Sequence, residues 1–169
     1  VGQRVVGEIN LACRRCAWCR RGLGRHCPRR TVLGIVKHPG AFAEELVLPE
    51  ENLHVVPASI PDEAAVFVEP LAAACELLDQ VRARRGTRVC VLGDGKLGLL
   101  VAQVLVARGL DVLHVGRHRS KLAHSKRAGA RTKLAETQTR ERFPLVVEAT
   151  GSARGLARAV ELAEPRGTI

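Results

Sequence analysis

Residues 88–98 read R-V-C-V-L-G-D-G-K-L-G, an apolar run that ends on three closely spaced glycines. Val89 to Leu92 form a short continuous apolar stretch, the pattern of a strand buried on both faces of a parallel sheet. Lys96 to Ala107 are apolar on nearly every side, which predicts a buried helix. Gly93, Gly95 and Gly98 stand between the two. In such a turn the first glycine permits the tight reversal and the second lets backbone approach a pyrophosphate. The third lets helix and strand pack closely. The new helix presents unpaired N–H groups and a positive dipole end to an anion. The glycines alone would also fit a ligand-free turn. A strand before them and a helix after them are what make the pattern specific. Gly93, Asp94, Gly95, Lys96, Leu97 and Gly98 are therefore candidate cofactor-binding residues.

Downstream the rhythm continues. D-V-L-H-V-G (111–116) predicts a second strand, and Arg119 to Ala128 a helix with a basic face. L-V-V-E-A-T-G (145–151) predicts a strand ending in a turn, Ala153 to Ala163 a helix, and G-T-I the start of another strand. Strand and helix alternating in this way predict an α/β fold with a doubly wound parallel sheet. A composition shift near residue 80 places that domain at 81–169. The end of the second strand bears on the choice of nicotinamide cofactor. An acid there favours a free ribose 2′-hydroxyl. Here Gly116 holds that position, followed by Arg117, His118, Arg119 and Lys121. Glycine leaves room, and arginine can grip a 2′-phosphate bidentately. NADP is the expected cofactor, with NAD as the alternative, although cations also suit the exposed start of a helix.

Upstream, residues 1–12 alternate as β. T-V-L-G-I-V (31–36), A-F-A-E-E-L-V-L-P (41–49) and L-H-V-V-P (53–57) predict short strands, with a turn at Pro39-Gly40. Ser59 to Glu63 read as a helix start, and the helical spacing of Ala64 to Val81 is expected to break or kink at Pro70. Between these lies C-R-R-C-A-W-C-R-R-G-L-G-R-H-C, with Cys13, Cys16, Cys19 and Cys27. The C-x2-C-x2-C-x7-C spacing lets four thiolates converge on one ion at about 2.3 Å, leaving no open position; it predicts a structural rather than catalytic zinc. Disulfides between residues three apart are geometrically awkward. A thioredoxin-type pair needs no four cysteines, and the run lacks a full ferredoxin pattern. Cys75 and Cys90 read as packing thiols.

Net charge is +10, which raises nucleic-acid binding. The basic residues gather around the cysteines and from Arg117 to Arg142, and Trp18 is the one aromatic near the first cluster. A four-thiolate zinc centre gives neighbouring arginines a local electrostatic partner, and base stacking would call for more aromatics. The charge reads mostly as a solvated face, with no nucleic acid as partner. No apolar run of about 18 residues suggests a membrane span, and no signal peptide is visible. Reduced thiols point to the cytoplasm. The chain contains no methionine and begins and ends in strand-like sequence, so it reads as a fragment.

Taken together, G-Q-R-V-V, the cysteine lobe, G-A-F-A-E-E-L-V-L-P, V-E-P-L-A, G-D-G-K-L-G and V-V-E-A-T-G resemble the zinc-containing medium-chain alcohol dehydrogenase family, in its polyol, glucose and threonine dehydrogenase branch. The resemblance covers essentially the whole chain. It implies part of a GroES-like, β-rich catalytic domain over 1–80, with the structural-zinc lobe at 13–27, followed by a partial Rossmann domain. It implies that Ala149, Thr150 and Gly151 contact cofactor, and that Glu69 of V-E-P-L lies at or next to a catalytic zinc. An acid near the start of a helix at Leu71 would look the same. In the family the other catalytic ligands, a Cys and a His-Glu pair, precede the cysteine lobe, and the resemblance implies that they would lie upstream of Val1. The complete protein is expected to move hydride between an alcohol or sugar and NAD(P) as a homo-oligomer, and this piece alone to be inactive. A basic zinc ribbon that binds nucleic acid, or a zinc-independent reductase of the same superfamily, are the rival readings.

Overall fold

The computed structural model describes residues 2–137 and 139–169. They divide into two compact units, 1–69 and 70–169. The division falls before the composition shift near residue 80.

In the first unit, β1 (Val5–Gly7) pairs antiparallel with β4 (Leu53–Val55), and β2 (Asn10–Leu11) with β3 (Thr31–Val32). A short helix, α1 (Ala17–Arg20), and a 3-10 turn, Gly24–His26, lie between β2 and β3. A second 3-10 turn, Glu50–Asn52, leads into β4. Buried Asn52 ties this turn to β1 and β2: its amide donates to the carbonyls of Glu8 and Asn10, both at 2.9 Å. The strand expected at 41–49 is not formed. No described strand pairs with it, and Phe42 and Val47 stand exposed. Alternation gives a segment a strand-like face, but a strand exists only where a neighbour takes up its backbone hydrogen bonds. The expected strand at 31–36 shortens to two residues, because Gly34 turns the chain at φ +68°.

A short helix, α2 (Asp62–Ala65), precedes α3 (Val68–Gln80). The helix runs through Pro70 rather than breaking there. Pro70 sits in the first turn, where an N–H has no intrahelical acceptor, so its absence costs little. The helix thus starts at Val68, ahead of the expected Leu71.

The second unit holds a five-stranded parallel sheet in the order β7-β6-β5-β8-β9. Its strands are β5 (Arg88–Leu92), β6 (Asp111–Gly116), β7 (Arg131–Leu134), β8 (Phe143–Glu148) and β9 (Ala163–Thr168), connected through α4 (Lys96–Ala107), α5 (Arg119–Arg127) and α6 (Ala153–Leu162). Alternate strand residues feed two cores. Val89, Val91, Val112 and Leu145 pack with Ala74 of α3 and Val101, Ala102 and Leu105 of α4. Cys90, Leu92, Leu113, Val115 and Val146 face the other way, onto Ala159 and Leu162 of α6. Cys90 is a packing thiol here, and burial pushes its pKa up to about 12.

Two differences from the sequence reading stand out. R-T-K-L forms β7, which its polar composition hides, and its place is set by pairing with β6. The last strand begins at Ala163, ahead of the expected G-T-I, and its register against β8 is irregular. Arg166, at φ +65°, marks the irregular stretch.

Candidate metal lobe and dinucleotide groove

Each unit carries one candidate site. In the first, α1 and the Gly24–His26 turn bring Cys13, Cys16, Cys19 and Cys27 together, with their Sγ atoms all within 4.8 Å of one another. Cys16 Sγ lies 3.4 Å from Cys19 Sγ and 3.7 Å from Cys27 Sγ. These spacings exclude S–S bonds of about 2.05 Å. They match the roughly 3.8 Å edges of a tetrahedron built on metal–sulfur bonds of about 2.3 Å. Leu11 and Thr31 pair beside the lobe, anchoring its entry and exit.

The thiols do not titrate alike. The Arg15 backbone N–H lowers the Cys13 pKa to about 6 against the effect of desolvation. Cys19 is raised to about 11 by desolvation and then by Cys16 and Cys27. Several thiolates this close repel one another, and a dication is what lets all of them ionise. Arg29 faces Cys13 and Cys16, whose charge raises its own pKa. That accounts for one member of the basic cluster. The donor set fits a closed zinc site. Glu69 is not part of this group. It lies exposed in the first turn of α3, and among the described residues no second set of three or more metal-ligating side chains gathers.

In the second unit, the turn after β5 meets the turn after β8. Connections from these two strands diverge here, since β6 lies on one side of β5 and β8 on the other. Such a switch point opens a crevice beyond the carboxyl ends of the strands. A groove of about 930 Å³ lies there, lined by Gly93, Asp94, Gly95, Gly116, Arg117, His118, Lys121, Ala149 and Thr150 among others.

The three glycines play different parts. A Cβ at Gly93, which has φ +109°, would come within 2.7 Å of the Ala149 carbonyl. A Cβ at Gly98 would lie 2.0 Å from the Gly93 oxygen. Both are demanded by the protein's own packing. Gly95 is different: a Cβ there would meet nothing within 4 Å, and its φ of −72° suits any residue. Its bareness serves no internal contact. It leaves open space at the N-terminus of α4, which fits the approach of a pyrophosphate. Leu97 is 48% exposed on the first turn of that helix, whereas the sequence reading had α4 buried all round.

Below this turn lies a contact that sequence reading missed. His114 of β6 is fully buried, with Nε2 2.9 Å from the Gly93 carbonyl and Nδ1 2.7 Å from Ser125 Oγ on α5. The carbonyl only accepts, so Nε2 carries the proton and Nδ1 accepts from the hydroxyl. Burial lowers the His114 pKa, keeping the ring neutral. The imidazole thereby pins the glycine turn to β6 and α5.

Opposite, Glu148 accepts from the backbone N–H of Thr150 at 2.7 Å and of Gly151 at 3.4 Å. Desolvation raises its pKa, but these hydrogen bonds prevail and lower it overall. Ser152 caps α6 by accepting from Gly155 N. Ala149, Thr150 and Gly151 are thus held at the groove edge by a carboxylate and a helix cap.

One expectation is overturned. Gly116 does not leave free room at the end of β6: a Cβ there would lie 2.5 Å from the Asp94 Cβ. The carboxylate of Asp94, on the glycine turn, occupies that space and bonds to His118. Arg117 and Lys121 remain exposed at the groove mouth.

Residues 1–58 match the family model of the alcohol dehydrogenase GroES-like domain. The chain is 34% identical to L-threonine 3-dehydrogenase of Chelativorans sp. (strain BNC1), over 100% of this chain and 52% of that protein. It superimposes on a short chain alcohol dehydrogenase from Escherichia coli CFT073 complexed with cofactor NADH, with TM-score 0.87 and 28% identity, over 99% of this chain and 52% of the other. It also superimposes on a zinc-binding dehydrogenase from Sinorhizobium meliloti 1021 bound to NADP, with TM-score 0.88 and 26% identity, over 98% and 52%. The chain spans about half the length of the curated relatives it matches.

Proposed function

We propose, from the premise that this chain belongs to the zinc-containing medium-chain alcohol dehydrogenase family, that it is the structural-zinc lobe and nucleotide cradle of an NAD(P)-dependent alcohol or polyol dehydrogenase. The observation that carries the reading is the open space over Gly95, a bare backbone that nothing inside the protein requires. The cradle would hold a dinucleotide pyrophosphate through the backbone of Gly95, Lys96 and Leu97, aided by the α4 dipole. Thr150 and Gly151, steadied by Glu148, would face the cofactor from the far side of the crevice. The bound nicotinamide supplies the hydride acceptor or donor. The four thiolates would hold zinc for shape alone, since all positions are taken.

We assign Glu69 a place beside a catalytic zinc by resemblance. A lone carboxylate is too few ligands for such a centre, so the role needs partners beyond the described residues. NADP is the preferred cofactor in this reading, on the strength of exposed Arg117 and Lys121 at the mouth of the groove. The substrate would be a small alcohol or sugar, as for the threonine and sorbitol dehydrogenases to which the chain is similar. Free cysteines in the first unit fit a reducing compartment such as the cytoplasm. Isothermal titration with NADPH and NADH tests the reading. Arg117→Ala should weaken NADPH about tenfold, the scale of one charge-assisted contact, and leave NADH unchanged. Unaltered NADPH affinity in that variant would remove the assignment of Arg117.

A further inference from the structure

The cysteine lobe carries more positive charge than its own partners cancel. Seven arginines lie between Cys13 and Thr31, and no acidic residue occurs from Ile9 to Ala43. All seven are exposed. On sequence this charge reads as a solvated face answered by the thiolates. The structure leaves most of it unanswered. Four thiolates around a dication leave a formal excess of about two negative charges. Arg29 faces that charge, and Arg14 pairs with Glu51 at 2.9 Å. Among the described residues, no carboxylate pairs with Arg15, Arg20, Arg21 or Arg30. Arg30 reaches the Cys27 carbonyl at 3.4 Å, a neutral acceptor that leaves its charge in place.

Trp18 stands among these cations on α1, 45% exposed. The Arg21 guanidinium lies 5.8 Å from its ring centroid, within cation–π range. The lobe that presents them is braced. Arg14, held at φ +59°, bonds to Glu51 and to Asn52 Oδ1 at 3.4 Å, and the Asn52 amide is tied to Glu8 and Asn10. A surface fixed before its ligand arrives loses little freedom on binding.

We propose that this lobe docks single-stranded nucleic acid, with Trp18 as the stacking platform and Arg15, Arg20, Arg21 and Arg30 as the phosphate contacts. This goes beyond the dehydrogenase reading and does not depend on the dinucleotide groove. Guanidinium forks match phosphate oxygens. An exposed indole stacks on any base, and a duplex hides its base faces, so the ring favours unpaired strands. A membrane surface would call for an apolar helix face, and a protein partner for an apolar centre. Trp18 is the one large apolar side chain exposed between Cys13 and Arg30.

Trp18 is the chain's one tryptophan and tyrosine is absent, so intrinsic fluorescence reports on this site. The test titrates the full zinc-loaded chain with single-stranded oligothymidylate and oligouridylate, each longer than a site of roughly 4–16 nucleotides. Either strand should quench Trp18 saturably. Affinity should fall with salt at a logarithmic slope near −3, the value for about four phosphates on a single strand. Trp18→Leu should bind a fluorescently labelled strand roughly 5–100-fold more weakly, through loss of one stack. Arg15→Ala and Arg20→Ala should each reduce the slope by about 0.7. Zinc content checks that each variant keeps the lobe, and should Trp18→Leu lose its metal, the two arginine variants decide. Excess oxidised NADP should not displace the labelled strand, which separates the lobe from the groove. The proposal falls if neither strand quenches Trp18, or if NADP displaces the strand. It also falls if a duplex binds as tightly as the single strands, or if polyglutamate does, the latter pointing to an acidic protein instead. None of these results overturns the groove reading, which cofactor titration tests by itself.

Discussion

Two glycines a single turn apart should respond in opposite ways to the same added methyl group. At Gly98 a Cβ would lie 2.0 Å from the Gly93 oxygen and 3.0 Å from its carbonyl carbon. Both are backbone, so the glycine turn must shift by about 1.4 Å relative to α4 to reach an ordinary contact near 3.4 Å. Overpacking of this kind costs roughly 1–3 kcal/mol. At this chain length each kcal/mol moves the melting temperature by about 2–4 °C, so Gly98→Ala should melt some 2–12 °C lower.

At Gly95 nothing lies within 4 Å of the new atom. Loss of unfolded-chain freedom stabilises by about 0.4–1 kcal/mol, and alanine as a poorer N-cap costs a similar amount. Gly95→Ala should therefore melt within about 2–4 °C of the wild type. Its methyl group fills the cradle, so it should still lose one or more charge-assisted backbone contacts to a pyrophosphate, a loss of roughly 10–100-fold in NADPH affinity. Differential scanning calorimetry and titration calorimetry on the same samples read both quantities. Wild-type affinity in Gly95→Ala, or an unchanged melting temperature in Gly98→Ala, would refute the division of labour between the glycines.

If the proposed zinc site stands, replacing its buried cysteine, Cys27→Ser, should lower zinc content as measured by plasma emission, and weaken binding by more than the roughly 10–100-fold that loss of an outer partner costs. A chelator should lower the melting temperature of the wild type and have little further effect on the variant. For His114, the folded value is depressed, so the unfolded chain binds the proton more readily. Stability from this group is present above about pH 6.5 and drains away as pH falls below it. His114→Gln should remove that part of the pH slope in urea unfolding.

How much could be read in advance follows from how far apart in sequence the interacting groups are. The cysteine lobe was legible because its four cysteines sit within one short run and converge through local turns. The glycine turn was legible because a buried strand, three glycines and an apolar helix follow without a break. The parallel sheet followed from its repeating rhythm. The R-T-K-L strand was hidden, since an edge strand of polar residues has no periodic apolar signal and is defined by its neighbour. The 41–49 segment misled for the converse reason: it has the alternation and no partner among the described strands.

What the amino-acid order determined by itself was therefore the gathering of four cysteines, the glycine turn between strand and helix and the α/β alternation, because each depends on spacing along the chain. Tertiary structure alone decided that Asp94 lies over Gly116 and bonds to His118, and that His114 holds the Gly93 carbonyl. These contacts join residues on different strands and turns. Only sheet pairing between β5 and β6 brings them within hydrogen-bonding distance, and burial there makes each partner matter.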